Sequence, residues 1–405
     1  MVENLGTLYR FELKKLLQKK LCWICLILCA ACILCGCLFE VYVGDVYIDG
    51  KRFESNHDAA RKDLAYARAL DGQAIDQALI EKTIAAYRAI PQDIPGHYTG
   101  TEEYQQGARQ YSAIFNQIYS TTTTPRSQLM YTWEPSEADY YRMYREYLED
   151  RWNKSYLTEG ERDFWRGQLA RVDMPLTYWE HTACDRLAIQ YQTVGVMTLL
   201  AVAVCLAGVF PDEHSRRTDS LNLCTKHGRT ALYWAKLLAG ITFAAGVAVG
   251  GSLTALVSLL AIYGPGHFSA PFQLIVPSYA GPLSCGQAML IAYGILILTA
   301  VLFALLVMAV SELTKNSVAV LSISGALIIL GELMTIPAQY RLAGQIWDWL
   351  PFTFLTVSNV FSCLTLPIGN TCLTAWQAVP LLYLLACVPA ALLNRRVYRR
   401  FQVGR

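Results

Sequence analysis

Charged residues are scarce in this sequence of 405 residues, where Asp, Glu, Lys and Arg together make up only 16%. An average soluble domain carries about a quarter charged residues, so the composition argues against a cytosolic globular protein. Two long segments, 237–311 and 350–394, contain no charged residue at all. The net charge is only +2, which provides no global basic field for nucleic acid. The share of hydrophobic residues, 54%, indicates a protein that lies partly in a lipid bilayer.

The sequence also lacks the short motifs that mark common enzymes. It contains no His-Glu-x-x-His, no pair of Cys-x-x-Cys motifs and no Gly-x-Ser-x-Gly. A Gly-x-x-x-x-Gly-Lys-Ser/Thr loop for nucleotide phosphates is absent too. An intramembrane enzyme would need paired polar groups within its apolar segments, and we find none. We therefore expect no catalytic, cofactor-binding or metal site, and any use of ATP would require another chain.

Six apolar stretches reach the length of about 20 residues that a membrane-crossing helix needs. They are Leu21–Phe39, Leu187–Phe210, Leu237–Tyr263, Ala288–Val310, Asn316–Ile336 and Trp376–Leu393. The first is too long for a cleaved signal peptide and has no small-x-small cleavage site. The sequence therefore predicts an all-α polytopic membrane protein with six transmembrane helices.

The distribution of Lys and Arg over the connections predicts the orientation, because cytoplasmic loops carry an excess of these residues. Sixteen of them fall in residues 1–20, in residues 211–236, at Lys315 and in residues 395–405, whereas the opposite short loops carry only Arg341. Both termini are thus expected in the cytoplasm. Residues 350–366 are also apolar, but a seventh crossing would move the basic tail outside. We expect a re-entrant segment or short helices there.

A large insert, residues 41–186, separates the first two predicted spans and should form a mainly helical extracytoplasmic domain. Apolar residues recur at helical spacing over 54–90, 102–119 and 137–151. Thr158 and Glu161 form a possible capping box for a further helix that ends near Leu169. Four tyrosines lie within two turns, and either an aromatic surface for a peptide or glycan or ordinary packing would explain them; packing is favoured. They are Tyr140, Tyr141, Tyr144 and Tyr147.

Cysteine is abundant, with 13 residues, but its placement favours packing over metal binding. Six of the cysteines lie in the first span, and the other spans offer almost no partner ligands. Small polarizable residues there suit close contact between helices, and Gly246 with Gly250 forms a Gly-x-x-x-Gly face with the same implication. Cys363 and Cys372 lie in the same predicted loop, and the sequence allows either a disulfide bridge between them or two free thiols.

Three other features carry polar groups into or next to the apolar bundle. Glu332 is the one clear carboxylate within a span, either a coupling or substrate contact or a residue at the headgroup level. Residues 8–20 have leucines and a phenylalanine on one side and lysines on the other, which predicts an interfacial amphipathic helix. Residues 211–236 form a polar connection, too long for a simple hairpin, that could dock on a soluble protein.

This layout resembles the permease subunits of ABC-2 type transporters. The resemblance rests on the N-terminal amphipathic helix, the polar loop after the second span and the short turn Ser311–Asn316. Residues comparable to the family's loop pattern are Phe210, Glu213, Arg217, Thr218, Leu221–Thr225, Arg229 and Lys236. Arg217 departs from that pattern, because glycine is usual at its position.

The resemblance implies a permease subunit of an ATP-driven exporter in the plasma membrane of a bacterial cell. This subunit would form the translocation pathway with a second copy or a paralogue. ATPase subunits would bind ATP and Mg²⁺ and contact the loop through Phe210, Glu213, Arg216, Arg217, Arg229 and Lys236. The alternative is a membrane-anchored sensor or assembly protein whose outer domain binds a ligand. The expected organisation, in chain order, is an interfacial helix (1–20), a first span (21–40), an outer domain (41–186), a second span (187–210), a coupling elbow (211–236), four further spans (237–394) and a basic tail (395–405).

Overall fold

The computed structural model describes residues 2–48, 51–91, 98–122, 124–135, 137–215, 231–369 and 371–400. Within these ranges, five helices are long and apolar enough to cross a membrane. They are α2 (Lys20–Tyr42), α9 (Thr182–Leu206), α11 (Ala231–Tyr263), α12 (Cys285–Thr314) and α16 (Ala375–Arg400). The chain is therefore a mainly helical, multi-pass membrane protein.

A sixth apolar helix, α13 (Ser317–Leu333), is shorter than the predicted span 316–336. Its 17 residues extend over about 26 Å at 1.5 Å per residue, less than the hydrocarbon thickness of about 30 Å. The backbone leaves the helix at Met334, which is extended. The sixth crossing therefore stays a prediction.

The helices α9 and α12 form the centre of the bundle. In the 18-residue apolar stretch of each helix, 67% of the residues of α9 and 56% of those of α12 are buried, against 17% in α2, α11 and α16. The three outer helices still expose large apolar side chains such as Val257 and Leu385. Because these helices are apolar on all sides, their exposed faces suit contact with lipid.

Helix α1 (Val2–Leu17) precedes the bundle and is separated from α2 by a break at Gln18 and Lys19. A distinct helix thus covers most of the predicted segment 8–20, and its interfacial position stays a prediction. Its Tyr9 hydroxyl donates to Thr242 Oγ1 at 3.1 Å, so α1 packs along α11.

The insert begins with a hairpin of β1 (Asp45–Ile48) and β2 (Lys51–Ser55), which sequence periodicity did not predict. Its helices are α3 (Asn56–Ala69), α4 (Gln77–Arg88), α5 (Ser112–Ser120), α6 (Arg126–Tyr131), α7 (Glu137–Lys154) and α8 (Glu159–Leu169). The predicted helical stretch 54–90 is thus two helices, because Gly72 has a φ of +78° and Asp76 caps a new helix by accepting from Leu79 N. Residues 104–111 form a π-helical and a 3₁₀ turn before α5. The Thr158–Glu161 capping box is confirmed.

The tyrosine group on α7 belongs to the core of the insert. Tyr140, Tyr141 and Tyr144 are buried. The hydroxyls of Tyr141 and Tyr144 donate to the carbonyl oxygens of Ile75 and Pro277, each at 3.0 Å. This confirms packing, since a buried tyrosine needs a partner for its hydroxyl.

In the apolar segment 350–366 the one helix is the four-residue α15 (Val357–Val360), and the last two residues already belong to a strand. Phe354 and Leu355 of this segment are fully buried. The segment leads from α14 (Arg341–Asp348) into a hairpin of β3 (Thr365–Ile368) and β4 (Thr371–Thr374). Irregular backbone at this position is thus covered by protein, as membrane proteins require.

The insert packs on the connections that follow α11 and α13. Trp165 Nε1 donates to the Cys363 carbonyl oxygen at 2.8 Å, and His267 N donates to the Glu180 carbonyl oxygen at 2.7 Å. Glu161 accepts from Arg341 and, at 2.6 Å, from Thr365 Oγ1. We call this the insert end of the bundle, and the opposite end, where α1 meets residues 207–215, the elbow end.

Buried Glu161 is the charged centre of that contact. Burial by itself would raise the pKa of Glu161, but the hydrogen bonds from Arg341, Thr365 and Thr158 outweigh it and lower the pKa to about 2. The carboxylate therefore stays ionised while it joins the insert to the loop that follows α13.

Candidate functional site

At the elbow end, the turn residues 207–210 separate α9 from the short helix α10 (Pro211–Ser215). Proline suits the first position of a helix because its missing N–H is not needed there. A Cβ on Gly208 would lie 2.7 Å from Asp212 Oδ1, so glycine lets this carboxylate approach the end of α9. The turn thus presents Asp212 and Glu213 towards α1 and α11.

Lys236, in the second turn of α11, is the most deeply buried charge at this end. Its side chain has no exposed surface, and its Nζ lies 2.6 Å from Glu213 Oε1 and 3.3 Å from Glu12 Oε2. Both carboxylates are nearly buried as well, with side-chain exposures of 11% and 7%. Lys236 Nζ also lies 5.7 Å from the centre of the Phe210 ring, a favourable position for a cation.

Two lysines of the N-terminal segment complete this arrangement. Lys15 Nζ lies 2.8 Å from Glu213 Oε1 and 3.8 Å from Glu12 Oε2, and Lys19 Nζ lies 2.7 Å from Asp212 Oδ2. Burial alone would lower the pKa of Lys15, but Glu213, Glu12 and Asp212 together raise it. We call these residues the elbow cluster: Glu12, Lys15, Lys19, Asp212, Glu213 and Lys236.

The elbow cluster joins three separate elements of the chain through balanced charges. It contains three cations and three anions, and Glu213 lies at its centre because it accepts from both Lys15 and Lys236. A buried ion pair contributes little net stability, but loss of one partner is costly because it leaves an uncompensated charge. The cluster therefore constrains the mutual positions of α1, α10 and α11.

Three of the predicted coupling residues come together here: Phe210, Glu213 and Lys236. The other three, Arg216, Arg217 and Arg229, lie outside the described residues, and so does most of the loop pattern on which the resemblance rests. Sequence reasoning missed the remaining members of the cluster. The sequence did contain a signal, because Glu12 is an acidic residue among basic ones, one helical turn before Leu16. The structure buries both residues.

Glu332, the predicted intramembrane polar site, lies far from the elbow cluster. It is exposed near the end of α13 and accepts a hydrogen bond of 2.5 Å from Gln192 Nε2 of α9. The short turn predicted at Ser311–Asn316 is narrower in the structure, because α12 continues to Thr314. Lys315 ends α12 with a φ of +51°, and Asn316 caps α13 by accepting from Val318 N.

The other sequence candidates form no site for a metal ion. Across the described ranges, no group of three or more His, Cys, Asp or Glu residues could hold a metal. Cys363 and Cys372 are both free thiols. Gly246 and Gly250 were expected at a helix contact, but a Cβ on either would meet no atom within 4 Å. That expectation is wrong within this chain, because both glycines face an open space between α11 and its neighbours.

Comparison with known proteins agrees with the architecture. The family described as ABC-2 family transporter protein matches residues 7–392, nearly the whole chain. Among curated proteins, none matches the sequence significantly. A match of this extent covers the bundle, the insert and the elbow end together. The chain therefore belongs to the ABC-2 transporter family, as a membrane-embedded permease subunit.

Proposed function

We propose that this permease subunit belongs to an ATP-driven exporter and that separate ATPase subunits drive it through residues 211–236. The observation that carries the proposal is the elbow cluster, because it ties the polar elbow to α1 and α11 through buried charges. A second copy or a paralogue would complete the translocation pathway. ATP and Mg²⁺ would bind to the ATPase subunits.

The proposed orientation places the elbow end in the cytoplasm and the insert, residues 41–186, outside the plasma membrane. The excess of Lys and Arg at the elbow end supports it. The packing of the insert against the connections after α11 and α13 supports it too, since these segments must then share a side. With α13 as the sixth span, both termini lie in the cytoplasm.

The geometry suggests how movement of an ATPase would reach the bundle. A push on the elbow displaces α10, and Glu213 transmits it to α11 through Lys236 and to α1 through Lys15. Since α1 is separated from α2 by only two residues, the first span follows. In this scheme Phe210, Glu213 and Lys236 hold the elbow, while Arg216, Arg217 and Arg229 contact the ATPase.

The test is purification of the tagged full chain in mild detergent, with identification of co-purifying proteins and assay of ATP hydrolysis. We expect a near-stoichiometric partner with a phosphate-binding loop. The double variant Arg216→Glu/Arg217→Glu should lose both the partner and the ATPase activity. The matched control, Lys82→Glu/Arg145→Glu, reverses two exposed charges of the insert and should retain both.

Two results would contradict the proposal. A protein that purifies without any ATPase would favour the sensor or assembly alternative. Undiminished ATPase binding in Arg216→Glu/Arg217→Glu, with the control also unchanged, would place the coupling surface elsewhere. Protease added to intact cells tests the orientation separately, since it should cleave the insert and spare an N-terminal tag.

A further inference from the structure

An apolar groove runs between α1, α2, α9 and α11, on the lipid-facing side of the bundle. Its volume is about 440 Å³, within the range of about 300–1,000 Å³ typical of ligand pockets. Its walls include Leu13 and Leu17 of α1, Cys29 and Ile33 of α2, and Gly246 and Gly250 of α11. Nothing in the proposed coupling mechanism uses this space.

Glycine keeps the groove open over a length that matches one lipid leaflet. Both Gly246 and Gly250 are exposed, and a Cβ on either would meet no atom within 4 Å. From Thr242 to Thr254 the α11 wall extends about 18 Å, at 1.5 Å per residue. That is somewhat more than half of a hydrocarbon core of about 30 Å. The groove therefore reaches from α1 to about the middle of the membrane.

Two exposed cations flank the groove on the face of α1 that lines it, and they define its mouth. Arg10 and Lys14 lie on the same face of α1 as Leu13 and Leu17, at spacings of three and four residues, and both are exposed. Neither forms an ion pair with another described residue. Trp23 marks the interface nearby, where its Nε1 donates to the Leu17 carbonyl oxygen at 2.7 Å.

We propose that the groove binds one acyl chain of an anionic phospholipid whose phosphate lies against Arg10 and Lys14. The apolar walls and the length of one leaflet fit the chain, and the basic mouth fits the headgroup. The lipid comes from the leaflet that contains α1. This binding is independent of any ATPase, so it stands or falls separately from the coupling mechanism.

Native mass spectrometry of the purified full chain tests the proposal, with added phosphatidylglycerol or phosphatidylcholine of identical acyl chains. The wild-type protein should retain phosphatidylglycerol more strongly. The variant Arg10→Gln/Lys14→Gln should lose this preference, with affinity for phosphatidylglycerol reduced about fivefold for each charge removed. The control Lys82→Gln/Arg145→Gln, on the insert, should behave as the wild type.

Filling the groove tests the acyl chain. Gly246→Leu/Gly250→Leu should lose one tightly bound lipid of either kind, whereas Gly294→Leu, at an equally open position of α12, should not. If the leucine variant does not fold, Gly246→Ala/Gly250→Ala provides a smaller graded loss. Equal binding of the two lipids by the wild type would overturn the headgroup assignment. Unchanged retention in the filled variants would overturn the chain assignment, and loss of a dimer instead of a lipid would show that a second copy occupies the groove.

Discussion

Replacement of Lys236 by methionine is the most direct test of the elbow cluster. Methionine keeps an unbranched side chain of similar length but removes the charge. Lys236 has no exposed surface, so Glu213 and Glu12 would remain buried without their closest cation. Breaking a buried pair in this way costs about 3–5 kcal/mol. Because Lys15 still contacts Glu213 at 2.8 Å, we expect the lower end of that range.

Lys19 provides the matched comparison at the same end of the bundle. It pairs with Asp212 at 2.7 Å, but the two side chains are 31% and 39% exposed. Exposed pairs contribute about 0–1 kcal/mol, because water and ions screen them. Lys19→Met should therefore cost at least about 2 kcal/mol less than Lys236→Met, given the two ranges.

The assay is thermal unfolding of both variants in one detergent, followed by intrinsic fluorescence. Lys236→Met should unfold at a clearly lower temperature than the wild type, and Lys19→Met close to it. The double variant Lys236→Met/Glu213→Gln should recover part of the loss, because Glu12 is then the only one of the two carboxylates that needs the remaining cation, Lys15. If Lys236→Met were no less stable than Lys19→Met, the buried network would not constrain these helices.

Two further predictions concern the insert end. The depressed pKa of Glu161 means that its stabilisation is present above the ordinary value of 4.5 and disappears as the pH falls towards 2. The unfolding temperature should therefore drop more steeply between pH 5 and pH 3 in the wild type than in Glu161→Gln, and identical slopes would refute the assignment. On α13, a Cβ at Gly331 would lie 2.3 Å from the Phe352 carbonyl oxygen, whereas one at Gly325 would meet nothing within 4 Å. Gly331→Ala should cost about 1–3 kcal/mol in the same unfolding assay and Gly325→Ala should not, since overpacking forces the backbone to move.

The features that sequence alone predicted are those encoded locally. Apolar runs longer than about 20 residues identified the membrane helices, since backbone groups in lipid must be satisfied within the segment. The capping box at Thr158 and Glu161 was readable because both partners lie within one turn. The break between α3 and α4 carried a local signal as well, in Gly72 and the capping Asp76, but the apolar periodicity continued across it.

The features that sequence alone did not predict depend on contacts between distant residues. Glu161 was recognised as a cap, yet its partner Arg341 lies 180 residues away. Glu12 and Lys236 are separated by 224 residues. An amphipathic pattern predicts only that one face of a helix is apolar, so it does not identify this pair. The same limit applies to Gly246 and Gly250. Their spacing predicts a contact surface, but only the packing of the neighbouring helices decides that this surface faces a groove.

The elbow cluster and the lipid groove share two elements, α1 and α11. Helix α1 presents Glu12 and Lys15 to the cluster on one face, and Leu13 and Leu17 to the groove on the adjacent face. Helix α11 does the same through Lys236 and the glycines further along, and α2 follows α1 directly. A displacement of the elbow that moves α1 relative to α11 must therefore change the width of the groove. By linkage, a lipid that binds better to one width favours the corresponding position of the elbow. In the proposed exporter, the lipid composition of one leaflet would thus bias the coupling step without contact with ATPase or substrate.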